Sequence, residues 1–183
     1  MPTDKQEIMN ATISKKDFYQ GAMYNGTLLG AVWSAMYILL FAGTTNLMSL
    51  FLCMVLFFSS PIIAVQLAGR FRKKECSDTM SYINAWSFVF YMYICATLLS
   101  ALVSFLYFEL IDGGRFFMRI QSLLEASMNA PGIDSTMTGQ IEQTIKIIEQ
   151  TTTSEFVWQM MSNNFFNAMI LPVILALFVK RTR

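Results

Sequence analysis

A chain of 183 residues that is 55% hydrophobic and 14% charged, with mean hydropathy +0.47, is too apolar for an ordinary soluble domain. Its 13 Lys and Arg against 12 Asp and Glu leave a net charge of +1, gathered in blocks between long neutral tracts, which argues against nucleic acid as a partner. It contains no His, so the commonest general base, proton switch and metal ligand is missing, and most catalytic constellations go with it.

Lys5, Lys15 and Lys16 precede the first apolar tract in the manner of a secretory leader. The neutral run between Asp17 and Arg70 is 52 residues long, however, far beyond the roughly 7–15-residue core of such a leader, so the segment is expected to stay as an anchor. That run holds two helices of roughly 20 residues each, with Gly43-Thr44-Thr45-Asn46 as the turn between them. Neutral tracts from Thr79 to Phe108 and from Phe156 to Val179 add two more. All four are apolar on every side and lack the polar face of a soluble helix. The expected fold is an all-α integral membrane protein, a single domain over residues 1–183. Its transmembrane helices are placed at 20–42, 47–69, 80–108 and 156–179, with a loop at 70–79 and a helical outer segment at 109–155.

Ten Lys and Arg fall on the side of the termini and the 70–79 loop: Lys5, Lys15, Lys16, Arg70, Arg72, Lys73, Lys74, Lys180, Arg181 and Arg183. Three, Arg115, Arg119 and Lys146, fall on the other. Positive charge is retained in the cytoplasm, so both termini of this multi-pass protein are expected there. Tyr82, Trp86, Tyr107 and Trp158 stand where interfacial aromatic belts would lie.

Lipid supplies no hydrophobic force between helices, so close packing needs small residues. The first span carries Ala22, Gly26, Gly30 and Ser34 at intervals of four, and these are expected to pack against another helix or a second copy of the chain. Ser59-Ser60-Pro61 in the second span and Pro172 in the fourth are expected to bend their helices, with the serine hydroxyls serving the carbonyls that Pro61 leaves without a donor. Cys53, Cys76 and Cys95 form an odd set in apolar or acidic surroundings and read as free, unreactive thiols.

Polar side chains within the spans are the nearest thing to a functional signal. Asn163, Asn164 and Asn167, with Glu109 and Asp112 at the outer end of span three, define a candidate polar pocket. Interhelical hydrogen bonding is the plainer reading of the same residues. No catalytic residue, cofactor or metal site is expected, because the chain has no Ser/His or Cys/His pair, no phosphate-binding glycine loop and no two carboxylates close together within a span.

Within the outer segment, Phe116, Phe117, Ile120, Leu123 and Leu124 form one face of an amphipathic helix. Asn129-Ala130-Pro131-Gly132 breaks the chain, and Ile141, Ile145 and Ile148 mark a second helix with Thr138 as its expected N-cap. Both would lie on the membrane, fold over the bundle mouth, or dock a partner.

The glycine-containing first span, the tight hairpin, the basic run Arg70-Phe71-Arg72-Lys73-Lys74, the Phe-rich acidic segment from Phe116 to Gln150 and the tail Lys180 to Arg183 together resemble a family of small bacterial four-span membrane proteins catalogued as a domain of unknown function. The resemblance covers nearly the whole chain. It implies an accessory role beside membrane glycosyltransferases of cell-envelope assembly. The expected function is a non-enzymatic scaffold or accessory subunit among membrane lipids, with a membrane-protein partner or a second copy. The alternative is a lipid or small-solute carrier whose pocket lies at the asparagines.

Overall fold

The computed structural model describes residues 14–44, 46–128 and 134–181. Lys5, Thr45 of the turn, the chain break at 129–132 and Arg183 lie outside the described residues. Six α-helices follow in order: α1 (Lys15–Ala42), α2 (Leu47–Glu75), α3 (Tyr82–Tyr107), α4 (Arg115–Met128), α5 (Ser135–Gln150) and α6 (Thr153–Val179). No strand occurs among the described residues. Four of the helices, with α3 counted through to Asp112, are long and apolar enough to cross a membrane, and the chain is a multi-pass membrane protein.

Helix starts are set by side chains that accept from otherwise unpaired backbone N–H groups. Asn46 accepts from the Met48 N–H at 3.0 Å to open α2. Thr152 and Glu155 form a reciprocal capping box at α6. At α5 the cap is Asp134, accepting from the Met137 N–H at 2.8 Å, and not Thr138, whose hydroxyl donates to the Asp134 carbonyl one turn into the helix. The stretch Ser135 to Gly139 carries no apolar period, so its pattern places the helix start too late. The basic run Arg70 to Lys74, expected in a loop, is instead the last part of α2. Arg and Lys are good helix formers, and cations are stabilised at a helix C-terminus. Residues 109–112, expected in the outer segment, continue α3 as a π-helical turn that ends at Gly113 with φ 55°.

α3 is the central helix, packed by α1 along one side and α6 along another, while α2 leans mainly on α1. The core is built from small and aromatic residues: Ala22, Ala64, Ala68, Ala85, Ala96, Ala168 and Ala176 are fully buried around Phe88 and Tyr93. A second, aromatic cluster closes the bundle end that carries the α1–α2 turn. There Phe41, Phe108, Phe116 and Phe156 pack ring on ring, with Phe41 and Phe108 centroids 4.6 Å apart. Phe116 ties α4 to this cluster, and Arg119 reaches back to the Phe41 and Ala42 carbonyls at the end of α1. α4 therefore rests on the mouth of the bundle.

The opposite, basic end is held by a clasp. Arg72, 8% exposed, donates to the Val179 carbonyl and, at 3.0 Å, to Asp78. Arg181 pairs with the other Asp78 oxygen, and Met80 and Arg181 exchange backbone hydrogen bonds of 2.9 and 3.0 Å. Ser77 and Asp78 adopt positive φ, 49° and 59°, to turn the carboxylate back onto Arg72.

Candidate functional site

A cleft of about 290 Å³ lies about midway along the bundle between α1, α2, α3 and α6. Two hydrogen bonds build its walls. The Trp33 indole N–H donates to Ser60 Oγ at 2.6 Å, joining α1 to α2. The Tyr37 hydroxyl lies 2.9 Å from Oδ1 and 2.7 Å from Nδ2 of Asn164, joining α1 to α6. In a setting without water these pairs satisfy polar groups that lipid cannot serve.

Other polar groups around the cleft have no such partner. Tyr93 is fully buried, packed edge-on against Trp33 with ring centroids 5.3 Å apart, and its hydroxyl has no hydrogen-bond partner. Asn167 lines the cleft and is exposed, and its amide is unpartnered among the described residues. Pro61 removes the N–H that would serve the Phe57 carbonyl one turn earlier. The serine hydroxyls do not replace it as expected: Ser59 donates to Val55 at 2.6 Å, and Ser60 accepts from Trp33. No Asp, Glu, Lys or Arg lines the cleft, and Phe57 and Phe58, both exposed, bring it to the surface of the bundle.

Of the expected pocket residues the structure brings Asn164 and Asn167 to this cleft and leaves the other three elsewhere. Asn163 is exposed and lines no part of it. Glu109 is exposed on the π-helical turn. Asp112 is 2% exposed and accepts from the Phe116 N–H at 2.9 Å, so it opens α4 and holds that helix to the bundle. Consecutive helical residues point about 100° apart, which is why Asn163 and Asn164 part company. The small-residue stripe lies on the α3 side of α1. A Cβ on Gly26 would sit 2.6 Å from the Met92 carbonyl oxygen, and one on Gly30 would sit 3.0 Å from the Ala96 Cα. Ala22 is fully buried, and Ser34 donates back to the Gly30 carbonyl at 2.7 Å.

Trp33, Tyr37 and Tyr93 belong to the site although nothing in the apolar tracts marks them, and Ser60 belongs to it in a role other than the one expected beside Pro61. A signal exists in α3: Tyr93, Thr97, Ser100 and Ser104 recur at steps of four, three and four, a buried polar stripe on an otherwise apolar helix. The hydroxyls of Thr97 and Ser104 are also without partners, while Ser100 donates to the Thr97 carbonyl at 3.0 Å. Among the described residues no group of three or more His, Cys, Asp or Glu is placed to hold a metal ion.

Residues 24–181 match the family described as "Protein of unknown function (DUF4199)". The chain belongs to this family. The match begins within α1 and covers the other three membrane-length helices, the cleft and the clasp, extending to Arg181. No curated protein and no solved structure matches the chain.

Proposed function

We propose that this DUF4199 protein is a non-enzymatic protein of the bacterial inner membrane, with both termini cytoplasmic, that binds a lipid-soluble molecule in the cleft between its helices. The observation that carries the reading is the cleft's unmet polarity: the Tyr93 hydroxyl and the Asn167 amide lack partners where lipid tails offer none. A guest with a small polar head would satisfy both and leave its tail in the bilayer. The orientation is supported by the basic end, where Arg70, Arg72, Lys73, Lys74, Lys180 and Arg181 gather.

A second reading, an accessory subunit or scaffold, is favoured by the other end. Phe117, Ile120, Ile147, Ile148 and Phe156, with Gln150, Glu155 and Gln159 beside them, line a groove of about 780 Å³ between α4, α5 and α6, an apolar floor with a polar edge that suits a protein partner. Native mass spectrometry of the full chain released from lipid nanodiscs separates the two. A neutral lipid retained by the wild type and lost from Asn167→Leu is the expected result. A lone, lipid-free chain in both would overturn the cleft reading, and a protein partner at fixed stoichiometry without lipid would put the accessory reading in its place.

A further inference from the structure

We propose that the cleft takes the head of an isoprenoid-type quinone, a flat, uncharged ring bearing carbonyl acceptors on a hydrocarbon tail. This rests on the cleft being a lipid site and goes further, to the chemistry of its guest.

The cleft's lining, its unpartnered groups and its volume select that class. The lining holds no charged side chain, so a phosphate head would enter without a counter-charge and lose its hydration. Trp33, Tyr37, Phe57, Phe58 and Tyr93 make nearly half of the lining aromatic, and flat conjugated rings stack on such walls where a glycerol backbone does not. The two unpartnered groups, the Tyr93 O–H and the Asn167 amide N–H, are both donors, and a quinone carbonyl accepts from either. The volume, about 290 Å³, lies at the lower edge of ligand pockets (roughly 300–1,000 Å³) and suits a two-ring head better than a whole lipid. Because Phe57, Phe58 and Asn167 line the cleft and are exposed, the tail can leave sideways between α2 and α6.

Trp33 is a reporter built into the wall, since quinones quench indole fluorescence on contact. The full chain carrying Trp86→Phe and Trp158→Phe, leaving Trp33 as the single tryptophan, is placed in phosphatidylcholine nanodiscs and titrated with menaquinone-4. Saturable quenching is expected, and Tyr93→Phe and Asn167→Leu should each raise the half-saturating quinone level by roughly five- to tenfold, the loss of one hydrogen bond. A companion protein that keeps only Trp158 should show quenching that rises linearly with quinone. Linear quenching at Trp33 as well, or unchanged saturation in both variants, overturns the proposal. So does displacement of the quinone by dioleoylglycerol at equal concentration, which would show that the ring is not what the cleft selects. If the nanodisc-released wild type retains another neutral lipid while Trp33 fails to saturate with quinone, the quinone class falls and the lipid site stands.

Discussion

α1 and α3 meet with no room for a side chain at Gly26 or Gly30, whereas a Cβ on Gly69 of α2 would find nothing within 4 Å. The same contrast runs along the helices: the most apolar stretch of α3 with its π-helical turn is 44% buried, that of α2 only 17%. In lipid no hydrophobic force presses helices together, so position is set by close approach and by hydrogen bonds. The α1–α3 seam uses the first. The α2 side uses the second, with Trp33–Ser60 near its middle and the Arg72 clasp at its end, and the cleft remains open beside the first of these ties.

The largest test of that contrast is a pair of matched substitutions. Gly26→Leu should destabilise the protein by about 3 kcal/mol or more, because its Cβ meets the rigid Met92 carbonyl and not the end of a flexible chain. Gly69→Leu should change stability by less than about 0.5 kcal/mol. Denaturation in mild detergent, followed by circular dichroism, checks both. Equal losses would erase the distinction between a tight seam and a loosely held helix.

Next in size is the clasp. Arg72→Met should cost about 2–3 kcal/mol, less than for a fully sealed ion pair because Asp78 is half-exposed. The Val179 carbonyl also loses its donor, and Arg181 loses a neighbour of its own partner. Faster trypsin cleavage after Lys180 would accompany the loss if the clasp holds the tail. Stability that falls with no change in cleavage would assign Arg72 to α2 alone.

Cys76, the residue that ends α2, reports whether that helix stays in place. Burial, with Glu75 beside it, pushes its thiol up to about 11 from an ordinary 9.0. At pH 8 this lowers the thiolate fraction by roughly 100-fold, partly offset by greater nucleophilicity, so maleimide labelling should run roughly tenfold slower than for an exposed cysteine. The folded form holds the neutral thiol more firmly than the unfolded chain does. This contribution is therefore complete below about pH 9 and is lost as pH rises toward about 11, where labelling should also accelerate. Labelling at the exposed-cysteine rate at pH 8 would mean that the end of α2 swings free.

The four membrane-length helices were legible because uninterrupted apolarity over 20 or more residues has few other physical solutions. The family layout was legible for the same reason, since it is made of span order and charge blocks. The pocket was legible only in part. Asn164 and Asn167 announced themselves as polar residues in an apolar tract, but Tyr37, which bonds Asn164, and Tyr93, which shares the cleft, each carry one polar atom on a large apolar ring and count as hydrophobic in any tally. Asp112 was grouped with them as a polar residue bordering an apolar tract, and only the fold separates a capping carboxylate from a cleft residue. Arg72 was hidden by its neighbours: within Arg70-Phe71-Arg72-Lys73-Lys74, any of the four cations satisfies the charge rule, and helix rotation alone turns one of them inward.

The smallest effect concerns how the cleft itself is held. Tyr37–Asn164 is the hydrogen bond that ties α1 to α6 across it, and interhelical bonds of this kind contribute about 0.6 kcal/mol on average and about 1.7 at most. A double-mutant cycle with Tyr37→Phe and Asn164→Leu should return a coupling of about 0.6–1 kcal/mol, read from denaturation curves of the four proteins. The coupling depends on what fills the cleft. If the space is dry, an Asn164 amide deprived of Tyr37 has nowhere to turn, and the single Tyr37→Phe change costs nearly as much as the pair. If water or a polar guest occupies it, the amide finds a substitute and the coupling shrinks toward zero. Adding menaquinone-4 to the Tyr37→Phe protein should then recover part of its lost stability, which a bond of purely structural importance would not allow.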